Sequence, residues 1–313
     1  MKKAVLLLTV LTLLMGCVFT GCGGGAKGGK AQIGYVTCNM NDLFQVFVKE
    51  AFEQYFADKA DYTVVLQDAQ EDTVKQQDQV NALIAQGVKA LVVVPVDTSA
   101  MAPITTAATN AKIPLVYVNR NPFGESNPPS NVYYVGSQEI VGGRLQGEAM
   151  GKLLNGQGGV GILMGILNNE GAIKRTEGNE EVLGAQYPNV KVLDKQTGNW
   201  QPDQGLTIVQ NWITAYGPNL NGILSNNDGM AMGAIEALKQ AGREDVIVIG
   251  LDAIPDALAA VRGGSMAGTV LQDAKGQGAG AAEMALKAVQ GVSQNPITWI
   301  PFVYIDKSNV AQY

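Results

Sequence analysis

Short β-rich segments alternate with amphipathic helical patterns along nearly the whole chain, and this alternation constrains the fold more than any other feature. In the stretch after the first such segment, Val48, Phe52 and Phe56 have the spacing of one helix face. Parallel sheets covered by helices on both faces are predicted, because the strand segments are continuously apolar. The predicted strands are residues 33–36, 63–66, 91–94, 115–118, 160–164, 192–193, 222–224, 246–250 and 268–271.

The strand–helix units fall into two similar groups. About four precede residue 125 and about four follow it, and the most loop-like stretch of the chain, residues 121–130, lies between them. This division favours two α/β lobes over one large barrel. Within the first group, Thr73 and Gln76 predict a capping box for the second helix, and Gly87 predicts its end.

The complete absence of histidine among the 313 residues excludes several kinds of site. Neither a Ser-His-Asp triad, a Cys-His pair nor an imidazole zinc ligand can form. A formal net charge of -6 argues against a nucleic-acid binder, which needs a basic surface. The composition therefore favours binding without chemistry.

The N-terminal residues 1–21 are predicted to be a lipoprotein signal peptide. Lys2 and Lys3 precede an apolar core, residues 4–15, that is too short to span a bilayer. Two Gly-Cys pairs follow and resemble a bacterial lipobox, in which the cysteine is lipidated; Cys22 is the predicted site and Cys17 the alternative. Residues 22–31 are a predicted Gly-rich tether. A plain secretory peptide is the other interpretation, and Cys38 alone remains outside this region.

Polar side chains follow the carboxyl ends of several predicted strands, where parallel sheets bind their ligands. These include Asn119 and Arg120 after residues 115–118, and Asp252 after residues 246–250. This set of residues suits a polyhydroxylated ring as ligand. Its acid, amide and guanidinium groups can form hydrogen bonds with the ring hydroxyls, and the aromatic residues Phe44 and Trp200 can cover the apolar C–H faces of the ring. Asn and Asp after strands are also common helix caps, and we assign Asp228 and Asp256 to that role.

Five segments of the chain resemble the galactose/glucose-binding proteins of bacterial ABC transporters, with the ribose-binding proteins close behind. The segments are residues 41–44, 133–136, 226–234, 250–258 and 267–273. The resemblance extends from about residue 32 to residue 312. It implies a type I periplasmic binding protein: two Rossmann-like lobes, residues 32–135 with 273–298 and residues 136–272 with 299–313, joined by three hinge segments.

The resemblance also implies a function and a set of sugar-binding residues. The protein would capture a monosaccharide between the lobes on the outer side of the membrane and deliver it to an ABC permease; some relatives also serve chemoreceptors. No cofactor is implied. The sugar-binding residues would be Asp42, Phe44, Asn119, Arg120, Asn169, Arg175, Trp200, Asn227, Asp252 and Gln272.

Departures from the galactose type leave the identity of the sugar open. Galactose binders place His and Asp shortly before the arginine, where this chain has Asn168 and Asn169, and Arg120 is ribose-like. A galactose/glucose-type hexose is the first prediction, with ribose or another pentose, or inositol, as alternatives. The segment 155–161, which corresponds to a calcium loop in galactose binders, has no carboxylate, so no metal is predicted. Its G-x-G-x-x-G pattern precedes a strand, which argues against a dinucleotide site.

Two other classes of protein share this kind of fold. A sugar-responsive repressor would need a basic N-terminal helix-turn-helix, where this chain has a signal segment and tether. An enzyme would need an acid–base pair, which Asp42 and Asp252 could supply, but their amide, arginine and aromatic neighbours make hydroxyl binding the simpler interpretation. We therefore predict that the protein is not an enzyme.

Overall fold

The structure, a computed structural model, describes residues 29–313. The signal peptide, Cys17, Cys22 and most of the tether lie outside the described residues. The strands are β1 Ala31–Thr37, β2 Tyr62–Asp68, β3 Ala90–Val93, β4 Leu115–Val118, β5 Val132–Gly136, β6 Gln157–Met164, β7 Asn189–Thr197, β8 Leu220–Ser225, β9 Ile247–Asp252, β10 Gly268–Leu271, β11 Ile297–Trp299 and β12 Val303–Asp306. The α-helices are α1 Leu43–Phe56, α2 Thr73–Gln86, α3 Ala102–Asn110, α4 Glu139–Leu153, α5 Glu170–Gln186, α6 Pro202–Tyr216, α7 Asp228–Gln240, α8 Pro255–Gly263 and α9 Ala274–Val289.

These strands form two six-stranded sheets. The first has the order β11-β5-β4-β3-β1-β2 and is parallel throughout. The second has the order β12-β10-β9-β8-β6-β7 and is parallel except for β12, which runs antiparallel to β10. The prediction of two α/β lobes with parallel sheets is confirmed.

The chain passes between the two sheets three times: from β5 to α4, from β10 to α9, and from β11 to β12. Helix α9 packs against α1 on the first sheet, whereas α4 packs against α5 on the second. Each passage leaves the carboxyl end of a strand, β5, β10 or β11, so the carboxyl ends of the parallel strands in both sheets face the same cleft.

The apolar periodicity of α1 is confirmed. Val48, Phe52 and Phe56 are buried, and the Phe52 ring packs against Tyr35 of β1 at a centroid separation of 4.8 Å. In the second lobe the Trp212 ring lies against β6 at Gly161, where a Cβ would approach it to 2.4 Å. Each lobe therefore has its own core.

The start of α2 differs from the prediction. Asp72, not Thr73, caps the helix through hydrogen bonds from Val74 N and Lys75 N. The Gln76 side chain points inward to the connection between β3 and α3. There its Nε2 donates a hydrogen bond to Val94 O and its Oε1 accepts one from Val96 N. The predicted end at Gly87 is confirmed, with φ of 78°. Among residues 29–313, no helix is both long and apolar enough to cross a membrane.

Candidate functional site

The two lobes enclose a cavity at the carboxyl ends of both sheets. Its volume is about 370 Å³, its mouth included. All ten residues selected from the sequence line it, and four others do so as well. The complete lining is Asp42, Phe44, Gln45, Asn119, Arg120, Glu139, Asn169, Glu170, Gly171, Arg175, Trp200, Asn227, Asp252 and Gln272.

The N-terminus of α1 forms one wall of the cavity. Asp42 caps the helix by accepting a hydrogen bond from Phe44 N at 3.0 Å. Phe44 is only 5% exposed, so its ring belongs both to the core of the first lobe and to the wall. Burial raises the pKa of Asp42, and the positive charge of Arg120 partly offsets this.

Asn119 and Arg120 follow β4, as the sequence predicts. Asn119 has a left-handed backbone, with φ of 68°, and its side chain accepts from Gln45 Nε2 at 2.8 Å and donates to Gln277 Oε1 at 3.1 Å. Arg120 Nη1 donates to the carbonyl oxygens of Pro95 and Val96. These bonds fix the guanidinium and leave part of its N–H fork available to a ligand.

Arg175 is the most heavily engaged side chain of the second-lobe wall. Its Nε donates to Glu139 Oε2 at 2.6 Å, its Nη1 to Asn226 O at 2.6 Å and its Nη2 to Gln272 Oε1 at 3.1 Å. Gln272 Nε2 in turn donates to Glu139 Oε1 at 3.1 Å, which closes a ring of three buried side chains. Both ends of the Gln272 amide are thus bound to protein.

Trp200 reaches the cavity from the loop after β7. Its backbone φ is 67° and that of the preceding Asn199 is 50°, a conformation that costs a bulky residue free energy. The indole packs directly on Gly165, where a Cβ would lie 2.1 Å from Trp200 Cζ2, so no larger residue fits there. Trp200 Nε1 is buried without a partner among the described residues. The backbone conformation at Asn199 and Trp200 therefore holds the ring at the cavity, 5.7 Å from Arg175 Cζ.

Asn227 and Asp252 line the second-lobe side. Asn227 caps α7 by accepting from Met230 N and donates to Trp200 O at 3.2 Å. Asp252 ends β9 with φ of 133°, and its Oδ1 lies 3.9 Å from Arg175 Nη1. Burial raises the pKa of Asp252 well above its ordinary value, although the charge of Arg175 lowers it.

The assignment of Asp228 and Asp256 as caps is wrong. Asn227 is the cap of α7, and the buried Asp228 carboxylate accepts from Thr269 Oγ1 and Ile254 N. The N-terminus of α8, beside Asp256, has no side-chain cap. Asp228 therefore joins the start of α7 to β10 and to the connection between β9 and α8, and it lies outside the cavity lining.

Asn169 and Glu170, at the start of α5, include polar atoms that are buried without a partner in the described chain. Asn169 Oδ1 accepts from Gly171 N at 2.9 Å, but its Nδ2 is unpartnered. Glu170 Oε2 is unpartnered too. Burial raises the pKa of Glu170 to about 8, and the negative charge of Glu139 adds to this shift. Asn168 instead lies at the mouth, where its Nδ2 donates to Asp97 Oδ2 of the first lobe at 2.7 Å.

The sequence interpretation did not select four of the lining residues: Gln45, Glu139, Glu170 and Gly171. Glu139 follows the first passage between lobes, and Glu170 follows the cap Asn169, so neither lies directly behind a strand. Their one sequence signal is an acidic residue at the start of a helix, which is common. Within residues 29–313, no group of three or more acidic or thiol side chains is arranged to hold a metal ion.

Comparison with known proteins agrees with this architecture. The family model of the periplasmic binding protein domain matches residues 33–293. A protein of Rhizobium meliloti that carries the name of a rhizopine-binding protein is 39% identical over 90% of this chain and 92% of its own.

Two solved structures have the same fold. A solute-binding protein of an ABC transporter from Bacillus halodurans C-125 with bound myo-inositol is 34% identical, with a TM-score of 0.84 over 92% of this chain and 98% of that one. Another, from Actinobacillus succinogenes 130z with bound D-allose, is 30% identical, with a TM-score of 0.84 over 91% and 100%.

The chain belongs to the periplasmic binding protein family and has the type I fold of its sugar-binding members. Its homologues are substrate-binding proteins of ABC transport systems and not enzymes. Family membership implies an extracytoplasmic location, a sugar-type ligand and an ABC permease as partner.

Proposed function

We propose that the protein captures one six-membered, polyhydroxylated ring in the cavity between its lobes and delivers it to the permease. The observation that carries this proposal is the lining itself. It combines carboxylates, amides and two arginines with Phe44 and Trp200. Such a set satisfies ring hydroxyls at the edges and covers the apolar faces. The ten residues selected from the sequence are proposed as the binding residues.

An aldohexose of the galactose/glucose type remains the first candidate for this ring. Asp42 and Asn119 match the galactose type, and the family includes galactose-binding proteins, one of them 29% identical over the whole chain. The relative with bound D-allose also supports a hexose.

Inositol is the second candidate, and a specific observation favours it. Galactose binders recognise the anomeric end of the sugar with His and Asp, whereas here Asn168 bonds Asp97 at the mouth and Asn169 caps α5. A cyclitol has no anomeric centre and does not need those contacts. The structure with bound myo-inositol, 34% identical to this chain, supports the same choice. Ribose or another pentose is a third ligand for the test, since ribose import proteins are 32% identical.

Closure of the lobes over the ligand would produce the form that the permease recognises. Contacts to ligand from both lobes favour the closed state over the open one, so binding energy shifts this equilibrium.

We further propose the lobe boundaries given above, with hinges near residues 135, 272 and 299, and a lipid anchor on Cys22 that keeps the protein at the membrane. A chemoreceptor is a second proposed partner.

A thermal-shift panel of galactose, glucose, ribose, xylose and myo-inositol tests the proposal. A ligand that binds the folded state raises the melting temperature with its concentration. We expect galactose, glucose or myo-inositol to give a larger shift than either pentose. If none of the five compounds shifts the transition, the proposed ligand class is wrong, and turnover of a labelled sugar would contradict the assignment as a binding protein.

A further inference from the structure

A chain of hydrogen-bonded side chains runs from the cavity wall to the first passage between the lobes. Gln45 Nε2 donates to Asn119 Oδ1 at 2.8 Å, and Asn119 Nδ2 donates to Gln277 Oε1 at 3.1 Å. Gln277 Nε2 in turn donates to Ser137 Oγ, between β5 and α4, at 3.2 Å. All four residues are buried, and we call them the amide chain.

The three amides of the amide chain all point the same way. Each one donates through its nitrogen to the next residue, and the oxygens of Asn119 and Gln277 accept from the residue before. Turning one amide alone would place two oxygens, or two N–H groups, against each other. The orientation of Gln277 therefore determines the orientation of Asn119, and through it that of Gln45.

This direction leaves the oxygen of Gln45 without a partner. Gln45 lines the cavity, and its Oε1 is inaccessible to solvent and accepts no hydrogen bond from residues 29–313. Burying an acceptor without a donor costs free energy, which an O–H group of a ligand would recover. The end of the amide chain at the cavity is thus an unused acceptor.

The backbone of Asn119 is held separately from its side chain. Tyr134 Oη donates to Asn119 O at 2.8 Å, and Asn119 has the left-handed φ of 68°. Gly136 leaves room for the Tyr134 hydroxyl, with which a Cβ at residue 136 would collide. Loss of Gln277 would therefore free the Asn119 amide to turn without releasing the residue from its place at the end of β4.

We propose that Gln45 is a further ligand-binding residue, which accepts a hydrogen bond from one ring hydroxyl, and that Gln277 is the positioning residue that keeps the Gln45 oxygen available for it. This inference rests on the proposed function, since it adds two residues to the same site. Gln277 lies outside the cavity lining and acts through Asn119. A ligand group that cannot donate a hydrogen bond would leave the Gln45 oxygen unpaired.

The test is titration calorimetry with galactose, glucose and myo-inositol and with their monodeoxyfluoro analogues. In each analogue, fluorine replaces one hydroxyl; it has a similar size but cannot donate a hydrogen bond. The quantity compared is the Kd of an analogue divided by the Kd of its parent. In the wild type, this ratio should be about ten or more for the hydroxyl that Gln45 binds.

Replacement of Gln45 identifies that hydroxyl. Gln45→Met keeps an unbranched side chain of similar length and removes the acceptor, so the parent should bind about tenfold more weakly. The ratio at one ring position should then fall below about three, whereas the ratios at the other positions should stay as in the wild type. A role of Gln45 in folding alone would weaken the parent and all analogues by one factor.

Two variants of Gln277 test its positioning role. Gln277→Met removes the acceptor of Asn119 Nδ2, so both amides can turn, and the ratio should fall by about threefold or more at the position that Gln45→Met identifies. Gln277→Glu keeps an oxygen for Asn119 Nδ2 and should keep the ratio of the wild type. The control is Gln294→Met, beyond the far end of α9, which removes a hydrogen bond to Met284 O and should change no ratio.

A crystal structure of the wild type with the best of these probes needs no variant. An oxygen of the ligand should lie about 3 Å from the side-chain amide of Gln45. Melting temperatures check that each variant folds.

The outcomes separate this inference from the proposed function. If a parent compound binds and Gln45→Met leaves every ratio unchanged, or if no ligand oxygen lies near Gln45, the inference is wrong and the proposed function stands. If Gln45→Met lowers one ratio and Gln277→Met does not, the positioning role of Gln277 is wrong. If none of the three parents binds, the proposed function fails, and the inference fails with it.

Discussion

Arg175 Nε and Glu139 Oε2 lie 2.6 Å apart in a hydrogen-bonded ion pair that is almost fully buried. Glu139 is the first residue of α4, directly after the chain passes from the first lobe to the second, and Gln272 bonds both partners just before the chain passes back. The cavity wall is therefore tied to two of the three passages. A ligand that binds this wall would therefore act next to the proposed hinge segments.

Glu139→Gln should destabilise the protein strongly. It leaves the guanidinium of Arg175 buried without its nearest counter-charge, and breaking a buried pair from one side costs about 3 kcal/mol in the free energy of unfolding. Urea denaturation measures the change. Glu181→Gln, which breaks the exposed pair with Arg144, should cost less than about 1 kcal/mol. Equal costs for the two variants would contradict the proposed importance of the buried ring.

Glu170 should make the unliganded protein less stable as the pH rises. Burial and the charge of Glu139 raise its pKa to about 8 in the folded protein, whereas the unfolded chain has an ordinary carboxyl pKa of about 4.5. The folded state therefore binds more protons between these values, so the contribution of Glu170 is complete below about pH 4.5 and is lost as the pH rises through about 8. The charged groups that act on it are Glu139, Arg175, Lys174 and Glu177.

Melting temperatures between pH 5 and pH 8.5 measure this dependence. The wild type should lose more stability across the range than Glu170→Gln, in which the titrating group is absent. The raised pKa values of the buried Asp42 and Asp252 act in the same direction and remain in the variant. Parallel curves for the two proteins would show that Glu170 does not titrate in this range.

Asn168→Ala should favour the open form. The hydrogen bond from Asn168 Nδ2 to Asp97 Oδ2 joins the lobes at the mouth of the cavity and is exposed. Losing it should weaken ligand binding by about threefold, mostly through faster release. Stopped-flow dissociation measures the rate. Gln196→Ala, which removes an exposed bond to Asp194 within the second lobe, is the control and should leave the rate unchanged.

Cys22→Ala should release the protein from the membrane. With lipid on Cys22, metabolically added fatty acid should label the wild type and Cys17→Ala but not Cys22→Ala. Fractionation of cells that express the three proteins provides the readout. Label that is lost only in Cys17→Ala would move the anchor to the alternative cysteine.

The sequence predicts the fold well because periodic burial is a local property. All nine predicted strands form, and the buried face of α1 is confirmed at Val48, Phe52 and Phe56. Three strands, β5, β11 and β12, were not predicted. Strands β11 and β12 are only three and four residues long. Pairing with other strands stabilises them, and such pairing is not visible locally.

The cavity lining was predictable only in part. Residues directly behind strands, such as Asn119 and Asp252, follow from topology alone. Glu139 and Glu170 enter the lining because the starts of α4 and α5 converge where these two helices pack together in the second lobe, and that depends on tertiary packing. The left-handed backbone of Trp200, which holds its ring against Gly165, was likewise not predictable, because tryptophan has no preference for that conformation.

Titration calorimetry of the wild type, Trp200→Ala and Asp252→Ala with the best ligand of the thermal-shift panel tests the central claim most directly. The account predicts one ligand per chain for the wild type and a loss of about a hundredfold or more in affinity for each variant, since each removes a buried contact worth about 3 kcal/mol. Asp203→Ala, at an exposed position of α6, should bind as the wild type does. Unchanged titration curves for both Trp200→Ala and Asp252→Ala would contradict the assignment of this cavity as the binding site.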